Sequence, residues 1–193
     1  LFDINFSLAG LIILLPVFAV VAILIKATSR GLVFYKGVRV GKGGKLFKMC
    51  KFRTMVENAD KIGGPSTAGD DPRLTKIGKI IKKFKIDELP QLMNVLKGDM
   101  SFVGPRPEVP FYVNMMSENE RKVIFSVRPG ITDWASLWNF NEEEVLRGST
   151  DPEKTYQEKI WPEKIRLQIK YIKERSFLKD IIILAKTFLR IFK

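Results

Sequence analysis

Residues 8–25 read LAGLIILLPVFAVVAILI, eighteen residues without a charge and with one proline, Pro16, near the middle. As a helix this run is about 27 Å long, against a hydrocarbon core of roughly 30 Å. Asp3 precedes it, and Lys26, Arg30 and Lys36 follow. A cleaved signal peptide carries its basic residues ahead of the apolar run and small residues behind it, so this segment reads as a retained membrane element. The cation-rich flank on its carboxyl side assigns the rest of the chain to the cytoplasm. Pro16 removes the hydrogen bond to the carbonyl of Ile12 and kinks the helix. Two outcomes then compete, a kinked helix that crosses the bilayer and a hairpin that enters and leaves one face. A buried core helix is the bland alternative.

Beyond a break at Gly31, alternation around Gly43-Gly44 predicts a β-hairpin, Val33 to Val40 against Lys45 to Phe52. Residues 63–73, GGPSTAGDDPR, read as a loop. From Thr75 to Ile86 the apolar Ile77, Ile80, Ile81 and Phe84 recur at helical spacing, with Lys76, Lys79, Lys82 and Lys83 on other faces. Pro90 and Gly98 bracket a short helix, PQLMNVLK, and residues 101–110, SFVGPRPEVP, are too rich in proline for either regular element. A polar region from Asn139 to Glu158 leads to a helix over residues 163–175. The final segment gathers Lys179, Lys186, Arg190 and Lys193 on one face, opposite Ile, Leu and Phe, as in a helix lying among lipid headgroups or an ordinary amphipathic core helix.

The whole chain, 193 residues, is one domain's worth of core and carries 33 Lys and Arg against 21 Asp and Glu, a net charge of +12. It has no histidine, which removes histidine-based triads and histidine-ligated zinc, and the single Cys50 excludes an internal disulfide. No triphosphatase phosphate loop or dinucleotide fingerprint is present. The charge suits nucleic acid, anionic lipid or a phosphorylated substrate. Exposed aromatics interleaved with basic residues, which nucleic-acid binding favours, are not evident. The lysines instead cluster on amphipathic stretches and beside the apolar run, where anionic headgroups attract them. Arg53, Arg73, Arg106 and Arg128 sit in loop or turn contexts, and rigid loops that present a bidentate donor suit phosphate oxygens.

Asp87 and Glu88 interrupt a basic run, KKFKIDELPQ, just ahead of Pro90. One reading is that they cap the helix that follows. The other is that Asp87 attacks a phosphorus atom to form an acyl phosphate, while a divalent cation and arginines neutralise the crowded negative charge.

KFRTM (51–55), DPRLTKIG (71–78), DELPQLMNVLKGDMSFVGPRPE (87–108) and RPGIT (128–132) stand in that order behind the apolar segment. Together they resemble the bacterial sugar transferases, the monotopic phosphoglycosyl transferases, over nearly the whole chain. The resemblance implies transfer of a phosphosugar from a UDP-sugar to a polyprenol phosphate at the cytoplasmic face of the bacterial inner membrane, with release of UMP. It implies a covalent phosphosugar on Asp87, a requirement for Mg²⁺ with Asp87 at the metal, and Glu88 assisting by metal contact or by removing a proton. It also implies phosphate or nucleotide contacts from Arg106, Lys51, Arg53, Arg73 and Arg128, and a re-entrant helix broken at Pro16.

The chain departs from the family's pattern at Lys82 and Lys85, where relatives often carry Arg and Ser, and at Leu15, where a serine often precedes the proline. RPGIT also runs on into DWASLWNFNEEEVLRG, as in the small, single-domain branch. The expected fold is α+β, one membrane-associated domain. It has a membrane-inserted segment at residues 1–30 and an interfacial catalytic domain at residues 31–193, built of a small hairpin or sheet and amphipathic helices and closed by a C-terminal amphipathic helix. Expected partners are the UDP-sugar, the polyprenol phosphate and membrane lipids, with no nucleic acid. A basic membrane scaffold and a hydrolase using the same aspartate are the rival readings.

Overall fold

The computed structural model describes residues 2–191. Its architecture is α+β. Helices α1 (Phe2–Ile13) and α2 (Leu15–Thr28) are followed by strands β1 (Phe34–Val40) and β2 (Leu46–Phe52), then α3 (Lys76–Lys83) and α4 (Leu92–Lys97) on either side of a 3₁₀ turn, Ile86–Gln91. Strand β3 (Ser101–Val103), helices α5 (Pro110–Val113) and α6 (Glu118–Ile124) and strand β4 (Gly130–Thr132) come next. The chain ends with α7 (Trp134–Trp138), α8 (Glu142–Val145), α9 (Pro152–Thr155), a π-helical turn at Tyr156–Ile160, α10 (Trp161–Glu174) and α11 (Phe177–Ile191).

No single helix among the described residues is long and apolar enough to cross a membrane, but α1 and α2 form an apolar pair bent by 59°. The break falls at Leu14, which places Pro16 in the first turn of α2, where its missing N–H costs no bond. Backbone bonds from Leu14 N to the Gly10 carbonyl and from Phe18 N to the Leu14 carbonyl continue the ladder on both sides. The two arms dock on different parts of the domain. Arm α1 packs against α4, so closely that a Cβ on Gly10 would lie 3.2 Å from Leu92 Cδ1. Arm α2 buries Val21 and Ile25 against Phe52 and Ile81, with the rings of Phe18 and Phe52 centred 5.1 Å apart. Arg53 fastens the end of α2: Nη2 donates to the Ser29 carbonyl (3.1 Å) and hydroxyl (2.9 Å), and Nη1 to the Arg30 carbonyl. Both residues lie just past the last helical residue, Thr28, so Arg53 holds the chain where it leaves α2.

The hairpin forms as its alternation predicts, antiparallel from Phe34 opposite Phe52 to Val40 opposite Leu46. Gly43 and Gly44 turn it with φ of 67° and 74°. Helix α3 starts at Thr75, whose hydroxyl accepts from Gly78 N at 2.9 Å, and it ends three residues short of the expected Ile86 because Lys85 takes up φ of 55°. Residues 101–110 correct the expectation of no regular element. Ser101–Val103 pairs in parallel with Gly130–Thr132, and only glycines allow the approach, since a Cβ on Gly130 would lie 2.1 Å from Gly104 N. Pro90 does not open an α-helix as expected but lies inside the 3₁₀ turn, and α4 starts two residues later, at Leu92.

The bulk of the core lies under α10, where Tyr112, Leu146, Tyr156, Ile160, Trp161 and Ile165 pack together. The helix expected over residues 163–175 spans Trp161–Glu174. It buries Lys164, which pairs with Glu108 at 2.6 Å and donates to the Tyr156 hydroxyl at 2.7 Å.

A Cβ on Gly78 would stand 1.9 Å from the Thr54 carbonyl oxygen, a backbone atom that itself accepts from Thr75 N. Gly78→Ala is therefore expected to cost at least about 2 kcal/mol by forcing α3 off the end of β2. In detergent this lowers the thermal midpoint by about 5 °C or more, whereas Lys79→Ala on the exposed face of α3 leaves it nearly unchanged.

Candidate active site

The 3₁₀ turn Ile86–Gln91 carries both acidic residues and joins α3, which packs on α2, to α4, which packs on α1. Lys85, just before it, is a non-glycine residue in the left-handed region, a conformation that costs about 1 kcal/mol or more and is held only where surrounding contacts over-determine it. Those contacts are present. Lys85 N donates to the Lys82 carbonyl at 3.0 Å and Glu88 N to the Lys85 carbonyl at 3.2 Å. The Lys85 ammonium reaches Glu143 of α8 at 3.5 Å and lies 5.1 Å from the centre of the Phe140 ring.

Asp87 is 4% exposed, and its Oδ1 has no hydrogen-bond partner among the described residues. Oδ2 faces Lys51 Nζ at 4.0 Å, near enough for attraction but too far for a hydrogen bond. Burial raises its carboxyl, Lys51 opposes this, and the neighbouring Glu88 raises it further, with the result lying at about 6. Glu88 has the opposite environment. Arg106 holds it as a fork, Nη2 to Oε1 at 2.5 Å and Nη1 to Oε2 at 3.2 Å, while Lys51 Nζ donates to Oε1 at 2.9 Å. Burial alone would raise the Glu88 carboxyl, but Arg106 and Lys51 overcome it and hold Glu88 well below the usual carboxylate range. One member of the dyad is thus a fixed anion, while the other is undersolvated and carries an unpaired oxygen.

Of the basic residues expected at the site, Lys51 and Arg106 meet the dyad, and two others are engaged elsewhere. Arg53 is taken up by the end of α2, as described. Arg73 pairs with Asp71 at 2.7 Å and donates to the carbonyls of Ala59, Gly64 and Ser66, closing the loop that precedes α3. Arg128 is exposed and makes no hydrogen bond or ion pair among the described residues. The structure assigns further residues to the site, among them Lys82, which the sequence marked only as a departure from the family's pattern. Lys82 is depressed by its burial and feels Glu143, Lys51, Asp87 and Lys85, so it belongs to the same charge cluster. Gln91, on the dyad's own turn, is fully buried, with neither amide atom hydrogen-bonded among the described residues. Gln168 of α10 donates to the Arg106 carbonyl at 3.4 Å, and Lys164, one turn before it, pairs with Glu108, so one face of α10 fixes the loop that presents Arg106. A spacing of four on a helix signals that shared face, but not that it is buried.

No group of three or more acidic, cysteine or histidine residues able to hold a metal ion occurs among the described residues. A Mg²⁺ ion needs less, since it is commonly held by one or two carboxylates together with substrate phosphates and water. The free Oδ1 of Asp87 is a donor of that kind, whereas both oxygens of Glu88 are occupied by cations.

Comparison with known proteins gives a consistent set. The family described as bacterial sugar transferase matches the chain over residues 1–193. A Bacillus subtilis protein with the provisional name undecaprenyl-phosphate N-acetylgalactosaminyl 1-phosphate transferase is 54% identical over 110 residues, covering 57% of this chain and 62% of that protein. The UDP-N-acetylgalactosamine-undecaprenyl-phosphate N-acetylgalactosaminephosphotransferase of Aeromonas hydrophila is 40% identical over 89% of this chain and 38% of its own length. The exopolysaccharide production protein ExoY of Sinorhizobium fredii is 32% identical over 96% of this chain and 81% of its own. The chain therefore spans less than two thirds of the first two relatives.

A carboxyl raised from 3.8 to about 6 on folding binds protons that the unfolded chain has already lost. Its penalty is absent below pH 3.8, grows as pH rises, and is complete above about 6. Asp87→Asn removes it, so this variant is expected to be more stable than the parent by about 3 kcal/mol at pH 7.5, with the gain shrinking toward pH 4. Thermal midpoints measured across that range check both the sign and the pH dependence; a variant less stable at pH 7.5 contradicts it.

Proposed function

The chain belongs to the bacterial sugar transferase family, and from that premise we propose that it moves a phosphosugar from a UDP-sugar to a polyprenol phosphate in two steps through Asp87. In the first, an Asp87 oxygen bonds to the sugar-bearing phosphorus, the bond from that phosphorus to the bridging oxygen breaks, and UMP leaves with the electron pair. In the second, a phosphate oxygen of the polyprenol phosphate attacks the same phosphorus, which restores the Asp87 carboxylate and yields a polyprenol-diphosphate sugar. The observation that carries this reading is the buried Asp87 carboxylate with a free Oδ1 among cations that are not all consumed by it. Partial desolvation makes such an oxygen a better nucleophile, and the surrounding cations let it approach a diphosphate.

Glu88 takes a different part. It is an anion stabilised by Arg106 and Lys51, which makes it a weak base. In this reading it positions those two cations to meet the phosphate oxygens of either substrate. Mg²⁺, if bound, would be held by the Asp87 carboxylate together with the donor's diphosphate and would supply neutralisation of charge on the phosphates.

The membrane reading follows from the bend. Arms of 12 and 14 residues are about 18 and 21 Å long, so with both ends on one face a 59° bend lowers the vertex only about 10 Å, within one leaflet. Exposed apolar side chains gather there, with Ile12, Ile13 and Leu15 at 59%, 75% and 62%. In this reading the segment is re-entrant. It puts the dyad's turn at the interface on the cytoplasmic side, where a soluble UDP-sugar and a lipid-borne phosphate can both reach it.

Asp87→Asn is expected to abolish UMP release from UDP-sugars, and donor treatment of the parent to leave a phosphosugar mass increment on the peptide containing Asp87. Release that continues in the variant removes the nucleophile. Sugar phosphate formed from UDP-sugar and water, without need of polyprenol phosphate, would instead make the chain a hydrolase.

Cys50 is the only cysteine and is buried, so a single reporter can be placed without interference. Asn5→Cys is expected to react with a membrane-impermeant thiol reagent only from the cytoplasmic side. Labelling from the opposite side makes the segment a spanning one.

A further inference from the structure

A groove of about 640 Å³ runs between α7, α10 and α11, and none of the dyad's residues lines it. Trp134, Leu137 and Trp138 form one wall, and Lys170, Lys186 and Arg190 stand on the others. Two carboxylates also reach it, and both are already held, Glu163 by Arg166 at 2.6 Å and Glu174 by Lys179 at 3.0 Å. Lys170, Lys186 and Arg190 have no carboxylate partner among the described residues. Lys186 stands 5.1 Å over the Trp134 ring and Arg190 6.0 Å from the centre of the Phe140 ring. The groove therefore combines an aromatic wall with a surplus of positive charge.

At about 100° per residue, α11 divides into three arcs. One faces the protein: Ile183 is fully buried, Thr187 shares a hydrogen bond with Thr132 at 2.8 Å, and Asp180 accepts from the Tyr171 hydroxyl at 2.8 Å. The next is the basic row of Lys179, Lys186 and Arg190 beside the groove; Lys193, expected in that row, lies outside the described residues. The third is apolar and uncovered, with Phe177, Leu178, Ile181, Ile182 and Leu189 exposed. Phe177 meets Phe2 of α1 edge-on at 5.8 Å, so this arc runs on into the membrane segment. In the interfacial placement argued above, a basic row between an uncovered apolar arc and a groove lined by two tryptophans would lie at the level of bilayer phosphates.

We propose that this groove binds the phosphate of an anionic bilayer phospholipid between Lys186 and Arg190, with the acyl chains along the exposed arc of α11. The proposal rests on the interfacial placement argued above. Charge complementarity selects an anion, and continuity with the apolar arc selects one that carries acyl chains. Phe140, under Arg190, also lies 5.1 Å from the ammonium of Lys85, so this lipid would sit one aromatic ring from the turn that holds Asp87.

The test uses the full chain in nanodiscs of phosphatidylcholine with a minority of phosphatidylglycerol, bromines being placed on the chains of one lipid or the other while tryptophan emission is read. Brominated phosphatidylglycerol is expected to quench beyond its mole share. Each of Lys186→Gln and Arg190→Gln should cut that preference by about fivefold, and Lys45→Gln at the hairpin turn should leave it unchanged. Quenching in proportion to mole share in the parent overturns the lipid site and leaves the membrane placement standing. No quenching by either lipid overturns both. Relief of the phosphatidylglycerol quench on adding polyprenol phosphate assigns the groove to the acceptor and also overturns the proposal.

Discussion

Two carboxylates buried side by side repel each other and each loses hydration, and the centre of this protein is arranged around that cost. The solution is unequal. Glu88 receives nearly all of the direct compensation, a fork from Arg106 and a third bond from Lys51, while Asp87 keeps one oxygen with no partner among the described residues. Sharing the cations equally would stabilise both anions and blunt both. Giving them to one leaves the other raised in energy and reactive, and the strained backbone of Lys85 lies just ahead of the turn, two residues before Asp87. Stability is surrendered at the point where chemistry is proposed, as in other active sites.

Such a turn needs rigid supports, and here the supports are also the two arms of the bent apolar pair, α1 and α2. Helix α3 leads into it against α2, and α4 leads out of it against α1, so the two arms grip the chain on both sides of the dyad. The Arg53 clamp fixes the far end of α2, and α10 fixes the loop of Arg106 through Gln168 and the Lys164–Glu108 pair. The depth of the arms and the position of the dyad are consequently one geometric quantity. A change in how the arms sit would move the turn with them.

Much of this was legible in the chain itself. Alternation and the paired glycines predict the hairpin, since side-chain period and turn chemistry are both local, but the observed register, Val40 opposite Leu46, is one residue off the pairing that the expected bounds imply. The apolar run and Pro16 predict a bent element, though the break falls two residues before the proline. Legibility ends where a group's role depends on distant partners. Arg53 and Arg73 sit in turn contexts that suit a phosphate, but the same five donors serve backbone carbonyls equally well, and only the fold decides between them. The pairing of Ser101–Val103 with Gly130–Thr132 rests on two glycines approaching across a long separation and leaves no periodic trace. Lys164 reads as one more surface cation and is instead buried against Glu108. The dyad is recognisable by motif alone, and its asymmetry is not, because Lys51 and Arg106 come from elements far apart in the chain.

The same asymmetry bears on why the proposed transfer proceeds in turns. The cluster near the dyad holds few cations, and Glu88 already occupies two of them. A donor diphosphate and an acceptor phosphate held together would bring more negative charge than this cluster can neutralise in a site of low dielectric. With a covalent intermediate on Asp87, the nucleotide's charge leaves before the lipid's arrives, and the carboxylate's own charge is cancelled by its bond to phosphorus during the wait. Each half of the reaction then presents the cations with one anionic partner at a time. In the proposed mechanism a site this small would serve two phosphorylated substrates because it would never need to hold both.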